Sequence, residues 1–196
     1  MINKFYIIRH GETEANAGGE IRMCGSTNLN LTHKGFWDAM YLGKTKFNDF
    51  RKVENIYVSE LVRTKQTAFA LFKRDDYITA PDLNEINFGK YEMTNKKYLP
   101  SDILLKWERA AEELVFEGGD SIKERSENIY RCVSKLMTEN DKPFALVTSS
   151  TISRLLIIQL MGLDLNFFRC IKFPYLSIAE VEYDTEKGTI NIKINT

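Results

Sequence analysis

Apolar positions along the chain follow two patterns, short continuous runs and longer stretches with the spacing of a helix. The runs Phe5-Tyr6-Ile7-Ile8 and Phe144-Ala145-Leu146-Val147 are typical of strands buried on both faces. The predicted strands cover 4–9, 56–58, 77–80 and 144–147, and the predicted helices cover 32–47, 61–73, 100–115, 121–139 and a segment that ends at Met161. Thr32 is the predicted N-cap of the first helix.

The end of the chain carries a different pattern, the alternation of apolar and polar residues. Leu176 to Tyr183 and Thr189 to Ile194 alternate on either side of Glu186-Lys187-Gly188, which predicts an antiparallel hairpin. Because strands alternate with helices before this hairpin, we expect a mostly parallel sheet covered by helices on both faces. The predicted fold is a three-layer α/β/α sandwich with a mixed sheet and a C-terminal antiparallel hairpin. With 196 residues and no repeat or linker, a single domain over 1–196 is expected.

Composition and charge narrow the classes of function. Lys and Arg number 27 and Asp and Glu also number 27, so the chain has no net charge and no strongly basic face is expected. This balance disfavours nucleic-acid or membrane-surface partners. The early apolar run ends at Arg9, too short for a signal peptide, and no segment has the length of a transmembrane helix. The 3 cysteines are far apart and form no disulfide framework, which indicates a reduced, cytoplasmic protein.

Candidate chemistry lies in four loop regions, three of which directly follow predicted strands. Ligands in open α/β sheets bind at the carboxyl ends of strands, where these loops lie. The regions carry Arg9, His10 and Asn16, then Arg63 in the first turn of a helix, then Glu85, and finally Thr148-Ser149-Ser150-Thr151 with Arg154. Taken singly, each has a structural interpretation: an ion-paired arginine, a structural histidine, an exposed carboxylate or an N-cap hydroxyl.

Together these residues resemble the histidine phosphatase superfamily, whose fold is that of phosphoglycerate mutase. The resemblance rests on motifs in family order: Arg9-His10-Gly11-Glu12-Thr13 with Asn16, Gly25, Leu31-Thr32 with Gly35, Ser59-x-Leu61-x-Arg63 with Gln66-Thr67-Ala68, Glu85 with Phe88-Gly89-x-Tyr91-Glu92, and Gly119-Asp120-Ser121.

The resemblance implies a mechanism. His10 would be the nucleophile and would form a phosphohistidine, which splits one displacement into two easier ones. Arg9 and Arg63 would clamp the phosphoryl oxygens, and their charge would keep the imidazole unprotonated. Asn16 would donate a further hydrogen bond to the phosphate. Glu85 would protonate the leaving oxygen and then activate water. The resemblance implies no metal and no cofactor.

One part of the family pattern is absent. Members carry a second histidine in a His-Gly-Gly-x-x-Arg motif, and alignment on Arg154 puts Ser149, Ser150 and Thr151 in its first three positions. Ser149 or Ser150 could offer the phosphate a hydroxyl but no positive charge. The helix amino terminus behind them still favours an anion. Removing one transition-state donor typically costs about 10²–10³-fold in rate, so phosphate binding should survive better than turnover. His33 is expected on the surface.

Three functions follow, in decreasing order of support. The first is a phosphatase that hydrolyses a small phosphomonoester through His10, slowed by the loss of the second histidine. The second is a non-catalytic binder of a phosphate ligand, a pseudophosphatase. The third is a phosphoglycerate mutase, which the short segment 92–118 disfavours because mutases carry longer insertions there.

The rim of the predicted site would meet the part of the substrate beyond the phosphate. Its candidates are Arg22, Gly25, Ser26 and Tyr91. Arg22 indicates either a second anionic group on the substrate or an ordinary solvated loop arginine. Neither the substrate nor the oligomeric state follows from the sequence.

Overall fold

The computed structural model describes residues 2–19, 21–184 and 186–195. Glu20, inside the predicted loop 11–31, and both ends of the predicted domain 1–196 lie outside the described residues. The sheet of the described residues has six strands: Asn3–Arg9 (β1), Asn55–Val58 (β2), Ile78–Thr79 (β3), Phe144–Thr148 (β4), Ile178–Asp184 (β5) and Thr189–Asn195 (β6). Their order across the sheet is β3-β2-β4-β1-β5-β6.

The sheet is mixed in the way that the sequence predicts. Strands β1, β2, β3 and β4 pair in parallel, whereas β5 pairs antiparallel with β1 and β6 pairs antiparallel with β5. The predicted C-terminal hairpin is therefore confirmed. Since β1, β4 and β2 are neighbours and parallel, their carboxyl ends lie at one edge of the sheet, where the loops after them meet.

Helices cover both faces of the sheet. In the described residues they run over His33–Thr45 (α1), Phe47–Phe50 (α2), Val62–Phe72 (α3), Ser101–Arg109 (α4), Ile122–Glu139 (α5) and Ser150–Leu160 (α6). None of these helices combines the length and the apolar character needed to cross a bilayer.

Strand β1 shows how the two layers arise. Phe5 and Ile7 point to the face that packs on α5 and α6, and Tyr6 and Ile8 point to the face that packs on α1 and α3. All four side chains are buried because side chains alternate between the two covered faces of a strand. The predicted three-layer architecture is confirmed.

Two predicted helices are shorter in the structure. The helix predicted over 100–115 ends at Arg109, and a 3-10 turn over Ala111–Glu113 follows it. The backbone N–H of Ala111 donates to Asn166 Oδ1 at 2.7 Å instead of to a carbonyl of the helix. This bond to a residue distant in the sequence favours the end of the helix at this point. The helix predicted over 32–47 has Thr32 as its N-cap, as expected, but ends at Thr45.

Candidate active site

A cavity of about 790 Å³ opens where the loops after β1 and β4 meet. Its wall brings together the predicted residues Arg9, His10, Arg63 and Glu85, which are far apart in the sequence. The wall is strongly cationic, with these positively charged residues among the described ones: Arg9, Arg22, Arg63, Lys96, Arg154, Arg169 and Lys172. Glu85 is the one carboxylate on the described part of the wall.

His10 follows β1 and is buried at this edge of the sheet. Its Nδ1–H donates to the carbonyl oxygen of Gly11 at 2.7 Å, and a carbonyl oxygen can only accept. Burial holds the pKa of His10 well below 6.5, and the positive charges of Arg63 and Arg9 lower it further. The imidazole is therefore neutral at neutral pH, with its proton on Nδ1 and a free electron pair on Nε2.

Arg9, the last residue of β1, is fixed from two sides. Its Nη1 donates to the carbonyl oxygen of Phe173 at 2.8 Å, and the guanidinium lies 4.0 Å from the ring centre of Tyr175. Its Nε is buried and has no hydrogen-bond partner among the described residues. Burial lowers the pKa of Arg9, and the nearby Tyr175 and Glu85 oppose this effect.

Arg63 lies in the first turn of α3 and is 1% exposed. Its Nη1 donates to the carbonyl oxygen of Thr27 at 2.8 Å, and its Nη2 donates to that of Gly25 at 2.7 Å. These two carbonyls orient the guanidinium, while its Nε is buried without a partner in the described structure. Arg9 and Arg63 therefore each keep one unused buried donor beside His10.

The loop that holds Arg63 is itself held by Glu92. One carboxylate oxygen of Glu92 accepts from the backbone N–H groups of Gly25 and Thr27 and from the Thr27 hydroxyl. The other oxygen accepts from the backbone N–H groups of Ser26 and Phe88. A Cβ on Gly25 would lie 1.9 Å from the Ile86 carbonyl oxygen, so only glycine fits where the loop passes this backbone.

Glu85 is buried between two backbone donors. Its Oε1 accepts from the N–H of Ile86 at 2.9 Å, and its Oε2 accepts from the N–H of Thr151 at 3.2 Å. Thr151 lies in the first turn of α6, so the carboxylate occupies part of the helix amino terminus. Each oxygen keeps a second electron pair that can take a proton.

Asn16 and Arg22 also line the cavity. The Asn16 Oδ1 accepts from the backbone N–H of Arg22 at 2.8 Å, and the Asn16 Nδ2 faces the thiol of Cys24 at 3.7 Å. The Arg22 Nη1 donates to the carbonyl oxygen of Met93 at 3.4 Å. The structure thus places both predicted polar residues on the wall and ties them to each other.

Ser149 and Ser150 occupy different environments. Ser149 is 1% exposed and does not line the cavity, and its Oγ is buried with no partner among the described residues. Ser150 lines the cavity, and its Oγ accepts from Arg154 Nη2 at 2.9 Å. The structure brings Ser150 to the predicted site and leaves Ser149 behind its wall.

Three predicted rim residues lie off the cavity wall. Gly25 and Ser26 serve the Glu92 and Arg63 contacts through their backbone, and Tyr91 packs with a ring distance of 6.3 Å on Phe116. These residues therefore support neighbouring parts of the site without lining the cavity. His33 is exposed at the start of α1, where the sequence analysis put it.

A family model described as "Histidine phosphatase superfamily (branch 1)" matches residues 5–196. The chain belongs to this superfamily.

Relatives within the histidine phosphatase superfamily carry different names. The chain is 28% identical to "Probable phosphoglycerate mutase GpmB" of Escherichia fergusonii over 91% of its own length and 84% of that protein. It is 28% identical to "Adenosylcobalamin/alpha-ribazole phosphatase" of Salmonella typhimurium over 74% and 73%. Its fold is similar to a mutant phosphoserine phosphatase of Entamoeba histolytica in complex with phosphoserine, with a TM-score of 0.85, 23% identity and coverage of 99% and 97%.

Several wall residues do not follow from the sequence. They come from segments that carry no motif, with Trp107 in α4 and the others in turns and coils: Lys96, Trp107, Arg169, Lys172, Phe173 and Tyr175. Arg154 is predicted in the fourth candidate region, but the sequence gives it no role in binding. A pattern of aromatic and basic residues after α6 was the one available signal, and it has many structural interpretations.

In the described ranges no group of three or more His, Cys, Asp and Glu side chains could hold a metal ion. The positive charge at the site comes from arginine and lysine.

Proposed function

We propose that the protein is a phosphatase that hydrolyses a small phosphomonoester through a phosphohistidine on His10. One observation carries the proposal. A neutral imidazole with a free Nε2 shares the cavity wall with the buried Arg63 and the partly buried Arg9, each of which has a buried Nε without a partner in the described residues. Buried cations without an anionic partner are costly, and a phosphate dianion would supply that partner.

In the first step, Nε2 of His10 attacks phosphorus and the bond from phosphorus to the ester oxygen breaks. Protonated Glu85 gives its proton to the leaving oxygen, so an alcohol departs and the phosphoryl group stays on His10. Arg9 and Arg63 neutralise the charge on the phosphoryl oxygens, which grows during transfer. The Nδ1–H bond to Gly11 keeps the ring in the reactive tautomer.

In the second step, the Glu85 carboxylate takes a proton from water and the oxygen of that water attacks phosphorus. The bond from phosphorus to nitrogen breaks, inorganic phosphate leaves, and both His10 and Glu85 return to their starting states. No step requires a metal ion or a cofactor. A cytoplasmic location stays a prediction from the scattered cysteines.

The experiment compares the wild type with His10→Ala and with His33→Ala, the other histidine of the chain. Each protein is incubated with a ³²P-labelled phosphomonoester and quenched in alkali, which preserves phosphohistidine. We expect label on the wild type and on His33→Ala and none on His10→Ala, whose phosphate release falls by about 10³-fold or more. Phosphate release that does not depend on His10 would contradict the proposal.

A binder without turnover is the second candidate, and Ser149 favours it. The resemblance aligns Ser149 with the second histidine of the family, and its hydroxyl lies behind the cavity wall. This candidate predicts phosphate binding by the wild type without a phosphoenzyme, and turnover in Ser149→His. Robust turnover by the wild type would exclude it. A mutase would instead convert 3-phosphoglycerate to 2-phosphoglycerate with little phosphate release, which the same incubations measure.

A further inference from the structure

Three cations line the cavity beyond the groups that the proposed mechanism uses. Lys96 lies in a 3-10 turn, Arg154 in α6, and Arg169 in the 3-10 turn over Leu165–Cys170. Burial and the charge of Arg169 lower the pKa of Arg154 to about 10, and burial with the same charge lowers that of Lys96. The fold therefore holds like charges close together, at a cost that an anion would offset.

Acidic partners for this cluster are few. Glu108 lies 4.0 Å from Lys96, with a side chain that is 55% exposed. No carboxylate of the described chain comes within 4.0 Å of the guanidinium groups of Arg154 and Arg169. Arg154 uses two of its five N–H donors in hydrogen bonds to Ser150. Most N–H donors of the cluster therefore remain available to a ligand.

Trp107 adds an independent observation. It is 4% exposed and lines the cavity, yet its indole N–H is buried with no partner in the described residues. Edge-on contacts with the rings of Phe88 and Phe168 fix the indole, and Arg169 lies 5.4 Å from its ring centre. An unpartnered buried donor is destabilising, so its place on the same wall as three cations points to an acceptor supplied by a ligand.

From this arrangement we infer that the substrate carries a second anionic group, a carboxylate or a second phosphate, bound by Lys96, Arg154, Arg169 and the Trp107 N–H. The inference rests on the proposed function, in which His10 accepts the phosphoryl group of the substrate and the cluster binds the second anionic group. A cavity of about 790 Å³ has room for both ends of a small molecule. Every group in the cluster donates, so a neutral hydroxyl in the same place would leave the cations uncompensated.

Three substrates of one chain length test the inference. Glycerol 3-phosphate, 3-phosphoglycerate and glycerol 1,3-bisphosphate all have three carbons and a hydroxyl on C2, and they differ in the group opposite the phosphate: a hydroxyl, a carboxylate and a phosphate. We expect kcat/KM of the wild type to be at least about tenfold higher for an anionic member than for glycerol 3-phosphate. Which anionic member is preferred tells a carboxylate from a phosphate.

Three variants tie that preference to the cluster. Arg169→Gln removes a charge, and Trp107→Phe removes the N–H but keeps an aromatic ring. Both should lower kcat/KM for the preferred anionic substrate about tenfold and that for glycerol 3-phosphate much less. Lys97→Gln is the matched control, because Lys97 is exposed next to Lys96 and does not line the cavity. It should keep the wild-type values.

Dissociation constants separate this inference from the proposed function. They are measured calorimetrically for the same three compounds on His10→Ala, which cannot turn over. An anion preference that falls in the double variant with Arg169→Gln supports the inference even where no phosphohistidine forms, a result that would overturn the phosphatase proposal alone. Turnover through His10 with equal preference for all three compounds, or a preference untouched by Arg169→Gln and Trp107→Phe, would overturn the inference alone.

Discussion

Of two buried polar groups at the carboxyl edge of the sheet, one makes a hydrogen bond and the other does not. The Nδ1–H of His10 is used by Gly11, which fixes the ring and leaves Nε2 reactive. The hydroxyl of Ser149 is buried without a partner in the described structure, although Ser149 occupies the N-cap position of α6. A hydroxyl that is removed from water and not bonded again lowers stability. Ser149 is therefore an N-cap residue by place but not by hydrogen bonding.

Ser149→Ala tests this difference by equilibrium unfolding in urea. Since the hydroxyl makes no bond and Ala needs no more space, we expect the free energy of unfolding to stay within about 0.5 kcal/mol of wild type or to rise. The comparison is Thr32→Ala at the N-cap of α1, where Thr32 Oγ1 accepts from Gly35 N at 2.9 Å. That change should cost about 1 kcal/mol. Equal losses in the two variants would show that the Ser149 hydroxyl is bonded after all.

At the scale of elements, the loop over 24–27 connects the partly buried carboxylate of Glu92 to the guanidinium of Arg63. Glu92 accepts five hydrogen bonds from this loop and Phe88. Two carbonyl oxygens of the loop accept hydrogen bonds from the Arg63 guanidinium. Arg63 lines the cavity, whereas Glu92 does not. The loop therefore transmits the position of Glu92 to Arg63.

Glu92→Gln should disturb both stability and phosphate binding. A Gln amide replaces one acceptor oxygen with an NH₂ group, so in either orientation at least two of the five donors from the loop and Phe88 face another donor. We expect the free energy of unfolding to fall by roughly 2 kcal/mol or more, and phosphate affinity to fall with it as Arg63 loses its fixed carbonyls. Urea unfolding and calorimetric phosphate titration measure the two effects.

Glu127→Gln is the control for that variant, because Glu127 is an exposed residue of α5. It should change neither quantity by more than about 0.5 kcal/mol. Lost stability in Glu92→Gln with unchanged phosphate affinity would show that the loop does not position Arg63.

For the whole molecule, an uncharged total hides a strongly cationic cavity. Lys and Arg balance Asp and Glu at 27 each, yet the described cavity wall has several cations and one carboxylate, Glu85. Because His10 is buried among these cations, its protonation would destabilise the folded state. Between pH 6.5 and its lower folded pKa, the unfolded chain binds a proton that the folded chain does not. Stability should therefore fall as pH falls through this window.

His10→Asn should remove that pH dependence. The free energy of unfolding is measured in phosphate-free buffer from pH 7.5 to 5, and the wild type should lose stability relative to the variant by at most about 1.4 kcal/mol per pH unit. His33→Asn is the control and should follow the wild-type curve, because His33 is exposed. Parallel curves for wild type and His10→Asn would mean that His10 is not held neutral by the fold.

The elements follow from the sequence to different degrees. Strands β1 and β4 are predicted to within a residue because burial on both faces makes each a continuous apolar run. The end of α4 was wrong by several residues because a contact with Asn166, distant in the chain, ends it. Local periodicity carries no information about such a contact.

The sequence by itself determined the order of elements and the fold class, and it predicts His10 as the nucleophile. Periodicity records burial, and the motif at Arg9-His10 lies at a strand end where any α/β sheet binds its ligand. Only the tertiary structure decided which polar atoms lack partners, that Ser149 lies behind the wall, and that Trp107 joins Lys96, Arg154 and Arg169. The physical reason is that hydrogen bonds and charge pairs form between residues far apart in the chain, and unsatisfied donors exist only once packing has removed water from them.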